Sequence, residues 1–141
     1  MFQFGFLYFS LLVLFSMLHS IVQWNIRSLR TNNEELKVLF SKHDPNIVCL
    51  QETRIPTACY NIGLNYCFYG STPVINNNRP SGGAAIVVKK NISHHQIPLR
   101  TTLQAVAIKA SFKKCYTICS LYLDPSTPVS LLDLQNLRRV S

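Results

Sequence analysis

The chain has 141 residues, which is enough for one modest domain. Hydrophobic residues make up 48% of the sequence and charged residues 14%, and this composition excludes an intrinsically disordered protein. The 14 lysine and arginine residues exceed the 6 acidic residues, and the resulting charge of +8 suits an acidic partner such as a nucleic-acid backbone without excluding a generic basic protein.

An apolar head, residues 1–20, precedes the rest of the chain. The run from Phe2 to Leu18 carries no charge and is rich in phenylalanine and leucine. At about 17 residues this run is close to the lower limit for a membrane-spanning helix. It is also similar to a signal peptide, although it lacks a basic start and a small-residue cleavage site. Three interpretations stay open: a membrane anchor, a signal peptide, and an artefactual or incidental extension of a domain that covers residues 21–141.

The next predicted elements form a β-α-β unit. Residues 21–26 are rich in residues that favour strands. Thr31 or Asn32 caps a helix that continues to about residue 42, before an Asp-Pro pair that ends it. Residues 46–51 predict a second strand that is almost wholly apolar, as expected when both faces of a strand are buried.

The connection between these two strands predicts where their polar ends lie. A β-α-β crossover is right-handed and makes its strands parallel, so both strands end at the same edge of the sheet. Asn25 closes the first strand, and Glu52 follows the second. Because sites in α/β proteins are built at the carboxyl ends of parallel strands, the crossover alone predicts that Asn25 and Glu52 lie together.

The remaining elements are predicted to be antiparallel strands followed by one helix. The strands cover residues 66–69, 84–89, 104–110 and 115–123, a loop covers residues 76–83, and Ser130 caps the final helix. The alternation of side chains along the last strand places Ser120 and Tyr122 on the same face.

The cysteines and histidines argue against a structural metal or a disulfide framework. The five cysteines are an odd number and contain no C-x-x-C pair. We therefore expect reduced cysteines in a cytosolic or nuclear protein. A zinc site is not expected, because the neighbouring His94 and His95 point to opposite faces of a strand.

Four segments, in this order, resemble the endonuclease/exonuclease/phosphatase superfamily. They are the opening strand at residues 21–28, the Gln-Glu-Thr strand at residues 48–53, the glycine-led strand at residues 81–88, and the tyrosine-bearing strand at residues 118–125. The sequence is most similar in character to the apurinic-like endonuclease domain of non-LTR (LINE, Jockey-like) retrotransposon polyproteins. The resemblance covers residues 21–141 and implies DNA as substrate and a downstream reverse transcriptase domain in the intact polyprotein.

The resemblance implies an α/β fold, namely the N-terminal half of a four-layer α/β sandwich with a mixed sheet and flanking helices. It also implies that Glu52 binds Mg²⁺ or Mn²⁺ and that Asn25 orients Glu52 or contacts the metal shell and the phosphate. Tyr122 would stabilise charge on the scissile phosphate. Gln51 and Arg54 are weaker candidates for phosphate or DNA contact. Without the resemblance, Asn25 would be interpreted as the end of a strand, Glu52 as a solvated acid in a loop and Tyr122 as an aromatic residue of the core.

Two motifs that the family places after the tyrosine, Gly-Asp-Phe-Asn and Ser-Asp-His, do not occur in this sequence. Only Asp124 and Asp133 are acidic after Tyr122, and all four histidines precede it. We therefore expect part of a metal-dependent DNA endonuclease that is inactive alone, with a nuclear or cytoplasmic location. The alternatives are a non-catalytic relic that binds nucleic acid or a partner, and a protein tethered to a membrane through residues 2–18.

Overall fold

A computed structural model of the chain describes residues 11–16, 19–63 and 65–139. Ten strands and two helices lie within these residues. In chain order they are β1 (Leu11–Ser16), β2 (His19–Asn25), α1 (Asn33–His43), β3 (Ile47–Gln51), β4 (Tyr66–Gly70), β5 (Val74–Asn76), β6 (Arg79–Ser81), β7 (Ala84–Lys89), β8 (Ser93–Ile97), β9 (Gln104–Ser111), β10 (Cys115–Tyr122) and α2 (Leu131–Arg138).

The larger sheet has five strands in the order β1-β2-β3-β7-β4. Strands β2 and β3 are parallel, with Asn25 opposite Gln51 in the register, and α1 connects them. The other neighbours in this sheet are antiparallel. The predicted β-α-β unit and the mixed sheet are therefore confirmed. All five residues of β3 are buried because both of its faces are covered, which is why this strand is apolar along its whole length.

Two apolar layers cover the faces of the larger sheet. On one face, Leu36 and Phe40 of α1 join Val48 and Leu50 of β3 in one buried cluster. On the other face, Ile47 and Cys49 join a second cluster with residues of β9, such as Ile108. The strands β10, β9 and β8 form the smaller, three-stranded sheet in that order. The described residues thus stack a helix, the larger sheet and the smaller sheet, in that order.

The membrane anchor, one of the three interpretations of the apolar head, is corrected by the structure. Residues 11–16 form a strand, β1, that pairs antiparallel with β2, so they are not part of a helix. Over the residues that the structure describes, no helix is long and apolar enough to cross a membrane. The physical reason is that β2 would otherwise present an unpaired edge, and an apolar run can satisfy that edge as a strand. Residues 1–10, 17 and 18 of the predicted anchor lie outside the described residues.

Three further strands, β5, β6 and β8, were not predicted. Residues 76–83 were expected to be a loop, but β5 and β6 form a hairpin there. Its turn residues Asn77 and Asn78 have φ values of 48° and 59°, a left-handed conformation that asparagine tolerates better than most residues. Strand β8 was also missed, because its sequence carries two histidines and a glutamine in place of an apolar alternation.

The final helix, α2, is attached through Asp133. The Ser130 hydroxyl accepts a hydrogen bond from the Asp133 backbone N–H at 3.1 Å, which confirms the predicted cap. The Asp133 carboxylate accepts from the Thr101 hydroxyl at 3.2 Å, and from the backbone N–H and hydroxyl of Thr102 at 3.1 and 3.0 Å. No residue of α2 is fully buried, so these polar contacts are central to its attachment.

The attachment of α2 is expected to depend on pH. Hydrogen bonds from Ser130 first, and then from Thr102, lower the pKa of the Asp133 carboxyl to about 2. A carboxyl whose pKa is lower in the folded chain stabilises the fold fully above its unfolded pKa of about 4, and this contribution is lost as the pH falls through about 2. We expect the Thr102 amide resonance to report this loss in the parent chain. The Asp133→Asn variant should lack that titration, and an identical titration in both would contradict the assignment.

Candidate active site

Asn25 and Glu52 meet at the carboxyl edge of the parallel pair. The Asn25 Nδ2 donates a hydrogen bond to the Glu52 Oε1 at 3.0 Å. The strand pairing continues one step further, because the Ile26 N–H donates to the Gln51 carbonyl at 3.0 Å. The structure therefore brings together the two residues whose proximity the crossover predicted, and it does so with a direct contact between their side chains.

The backbone around this pair is strained. Four non-glycine residues just after β2 and β3 have positive φ: Arg27 (54°), Ser28 (124°), Glu52 (52°) and Arg54 (51°). Such conformations are uncommon for side chains with a Cβ and persist only where surrounding contacts enforce them. Here the enforcing contacts include hydrogen bonds from the Thr53 N–H to the Gly83 carbonyl and from the Arg54 N–H to the Gly82 carbonyl, at 3.3 and 2.9 Å.

Tyr122 approaches the pair from the smaller sheet, and its ring lies on Gly82. A Cβ placed on Gly82 would lie 2.7 Å from the Tyr122 Cε1 and 2.5 Å from the Gln104 Oε1, so no side chain fits there unless both neighbours move. Gly82 also has a φ of +67°, which favours glycine. The Gln104 side chain accepts a hydrogen bond from the Gly83 N–H. The glycine pair thus joins the segment after Glu52 to the strand end that carries Tyr122.

Two shallow cavities share Glu52 and Tyr122 in their walls. One cavity, of about 300 Å³, is also lined by Asn25 and Gln51. The other, of about 280 Å³, is also lined by Arg54 and by Arg79 of the β5–β6 hairpin. The three residues that the resemblance singled out, Asn25, Glu52 and Tyr122, therefore line one cavity, and the arginine side chains line the neighbouring cavity that shares Glu52 and Tyr122.

The Tyr122 phenol is protonated at neutral pH, as a tyrosine ordinarily is, and its surroundings raise its pKa further. Burial contributes most to raising its pKa, the negative charges of Glu52 and Asp124 raise it further, and Arg54 partly offsets them. A protonated phenol is a hydrogen-bond donor that can face an anionic oxygen. The Arg54 guanidinium forms an ion pair with the Glu52 Oε2 at 3.2 Å, and its side chain is half exposed.

Gln51 and Arg54, the two weaker candidates, have different surroundings. Gln51 is only 6% exposed, and its amide donates to the Ser120 hydroxyl at 3.0 Å and accepts from the Gln23 Nε2 at 3.3 Å. The Gln51 side chain therefore forms its hydrogen bonds within the protein. Arg54 lines the second cavity and faces solvent, which is compatible with a contact to a phosphate.

The polar atoms present fit a hard cation. The Asn25 Oδ1 is buried and has no hydrogen-bond partner, although a buried amide oxygen is normally satisfied. The Nδ2 of the same amide contacts the Glu52 carboxylate, and carbonyl and carboxylate oxygens are the ligands that Mg²⁺ prefers. Across the described ranges, no group of three or more histidine, cysteine, aspartate or glutamate side chains is placed to hold a metal ion. The other ligands would be water and phosphate, as is common for Mg²⁺.

Three residues that shape this site were not identified from the sequence: Gly82, Gln104 and Ser120. Gly82 carries a signal, since two adjacent glycines before a strand often mark a close backbone approach. Ser120 is a polar residue within an otherwise apolar stretch of β10, which is a weaker signal for a buried hydrogen bond. Gln104 carries no such signal, because its role depends on how the two sheets pack.

Comparisons with known proteins agree with this geometry. The sequence profile described as Endonuclease/Exonuclease/phosphatase family matches residues 22–135. The RNA-directed DNA polymerase from mobile element jockey of Drosophila melanogaster is 29% identical over 109 residues, which are 73% of this chain and 11% of that protein. The chain thus spans about a tenth of the length of that curated relative.

Two solved structures share the fold. The endonuclease domain of TRAS1, a telomere-specific non-LTR retrotransposon, superposes with a TM-score of 0.66 at 20% identity, covering 87% of this chain and 54% of that one. The AP endonuclease LMAP from Leishmania major superposes with a TM-score of 0.61 at 16% identity, covering 86% of this chain and 47% of that one. The α/β fold class and the resemblance found in the sequence are confirmed, and the chain spans about half of each solved structure.

The contact between Gly82 and Tyr122 gives a testable prediction. Gly82→Ala should displace the Tyr122 ring and destabilise the chain by more than Gly63→Ala does. Gly63 is a matched control because its φ is +68° but no atom lies within 4 Å of an added Cβ, so it reports only the backbone strain of about 1–2 kcal/mol. Urea unfolding measures both changes, and equal losses would show that the ring does not pack on Gly82.

Proposed function

The chain belongs to the endonuclease/exonuclease/phosphatase family, and we propose that it is part of the DNA endonuclease domain of a non-LTR retrotransposon polyprotein. The observation that carries this proposal is the contact of Asn25 with Glu52 at 3.0 Å, with Tyr122 on the wall of the same cavity. The matched relative is the polymerase of a mobile element, which supports a downstream reverse transcriptase domain as the partner in an intact polyprotein.

Asn25, Glu52 and Tyr122 each have a role that their surroundings support. The Glu52 carboxylate and the unpartnered Asn25 Oδ1 would hold Mg²⁺ or Mn²⁺, and the bound cation supplies neutralising charge to the phosphate. Asn25 also holds the Glu52 carboxylate in one orientation through its amide hydrogen bond. The Tyr122 phenol, which is protonated at neutral pH, donates a hydrogen bond to a phosphate oxygen, and its raised pKa disfavours loss of the proton further.

Activation of the attacking water is the step for which these residues offer no group. The sequence contains neither Gly-Asp-Phe-Asn nor Ser-Asp-His. The acids after Tyr122 already accept other hydrogen bonds: Asp124 accepts two from Ser126, at 2.8 and 2.7 Å, and Asp133 anchors α2. A general base must lie within hydrogen-bond reach of the proton that it removes. The 141 residues are therefore proposed to bind metal and DNA without hydrolysing the phosphodiester bond by themselves.

A second candidate function is nucleic-acid binding without catalysis. The charge of +8 favours it, and so do the two arginines, Arg54 and Arg79, beside the cavity that Glu52 and Tyr122 share. Attraction between such cations and DNA phosphates weakens steeply as salt is added. The two candidates differ in metal dependence, since binding through the basic surface alone does not require Glu52.

The metal role of Glu52 is tested with Mn²⁺. Glu52→Gln removes the negative charge but keeps the size of the side chain, so Mn²⁺ affinity measured by electron spin resonance should fall at least about tenfold. Glu35→Gln is the matched control, because Glu35 lies in the exposed first turn of α1. Equal Mn²⁺ affinity in the parent chain and in Glu52→Gln would remove Glu52 as a ligand.

Catalysis and DNA binding are separated by a plasmid assay. The chain of 141 residues should retard supercoiled DNA at low salt, lose that binding as salt rises, and leave the plasmid unnicked with Mg²⁺. Nicking that disappears in Glu52→Ala would overturn the proposed inactivity while supporting the site. Absence of binding at low salt would count against DNA as the partner.

A further inference from the structure

Asn25, Glu52 and Tyr122 are divided between two sheets. The backbone hydrogen bonds within each sheet do not fix how the two sheets lie relative to each other. Asn25 and Glu52 lie at the end of the larger sheet, whereas Tyr122 ends β10 of the smaller one. Stacked sheets are held about 10 Å apart by apolar side chains, whose contacts are not directional. Some directional contact must therefore set where Tyr122 lies relative to Glu52 along the interface.

A buried polar bridge crosses between the sheets at this point. The Gln51 Nε2 donates to the Ser120 Oγ at 3.0 Å, and the Ser120 Oγ donates to the Leu50 carbonyl at 3.0 Å. The Gln23 side chain on β2 completes the chain by donating to the Gln51 Oε1 at 3.3 Å. Gln51 is 6% exposed and Ser120 is 1% exposed, so the two bonds of the Ser120 hydroxyl are shielded from water, whereas the Gln23 side chain is exposed.

The two residues of the bridge are close in sequence to the residues of the site. Gln51 immediately precedes Glu52 and is the register partner of Asn25. Ser120 is two positions before Tyr122 in the same strand, so both side chains leave the same face of β10. A shift of the bridge would therefore be passed to Glu52 on one side and to Tyr122 on the other.

We propose that Gln51 and Ser120 are positioning residues that hold Tyr122 opposite Glu52 by locking β10 against β3. The proposal rests on the proposed function in one respect, namely that Glu52 is the metal-binding residue. A buried hydroxyl and amide must each find partners, and only one relative placement of the two strands satisfies them. Apolar side chains of similar size would fill the space but would tolerate sliding. A displacement of reacting groups by about 1 Å is enough to lower a reaction rate by about a hundredfold.

Paramagnetic broadening by Mn²⁺ gives the first test. Fluorotyrosine replaces the tyrosine at position 122 of the full chain in this experiment. Mn²⁺ bound at Glu52 should broaden the ¹⁹F resonance of this label in the parent chain. Ser120→Ala, and independently Gln51→Met, should leave Mn²⁺ affinity unchanged but reduce that broadening. Ser111→Ala is the matched control, because the Ser111 hydroxyl is exposed and contacts the Cys115 Sγ at 3.3 Å, away from β3. Ser120→Thr, which keeps the hydroxyl, should restore the parent signal.

A second readout needs no metal. Glu52→Gln should shift the ¹⁹F resonance of Tyr122 in the parent chain through the change in local electric field, and this response should be lost when Ser120→Ala is also present. A bridge that only stabilises the fold would leave both readouts unchanged at temperatures where the variants remain folded, and that result would overturn the proposal. Absence of Mn²⁺ binding in the parent would count against the proposed function, whereas an intact metal-free response that Ser120→Ala abolishes would still support the bridge.

Discussion

The parallel pairing of β2 with β3 is the constraint on which the rest of the structure depends. It sets Asn25 opposite Gln51 and so places the Asn25 amide against the Glu52 carboxylate. A parallel pair needs a crossover, which α1 supplies, and α1 then covers one face of the sheet. The opposite face, also apolar, is covered by the smaller sheet, whose strand β10 carries Tyr122. Core packing and site assembly therefore follow from one pairing.

The segment after β3 shows how this arrangement is kept rigid where regular strands end. Glu52 and Arg54 adopt positive φ values, and the Thr53 and Arg54 N–H groups donate to the carbonyls of Gly83 and Gly82. Gly82 can lie under the Tyr122 ring because it has no Cβ. The same few residues thus provide the strain, its compensation and the contact surface for the tyrosine. Strain of this kind persists at functional sites because the surrounding structure enforces it.

The sequence predicts the parts of this site that depend on local pattern and chain connection. Asn25 and Glu52 could be paired from the crossover alone, whereas Tyr122 joined them only through the family resemblance. Strand β1 and the β5–β6 hairpin could not be foreseen, since each depends on which partner strand is available. The apolar head was left open as an anchor, a signal peptide or an incidental extension for the same reason, because hydrophobicity does not reveal that β2 has a free edge. Ser120 illustrates the limit: its partner lies 69 residues away in Gln51.

The charge balance around Glu52 is compatible with the proposed binding of a divalent cation by this carboxylate. Arg54 neutralises Glu52 at 3.2 Å, but its side chain is half exposed, and such a pair stabilises a protein by only about 0–1 kcal/mol. Loss of this ion pair to the proposed cation would therefore cost the fold little stability, while the Asn25 amide holds the carboxylate at 3.0 Å. Arg54 then remains on the wall of the cavity that Tyr122 shares, where the excess positive charge suits a phosphodiester anion. The ion pair is thus compatible with a stable fold when no cation is bound. It is also compatible with binding of the substrate when the proposed cation is present.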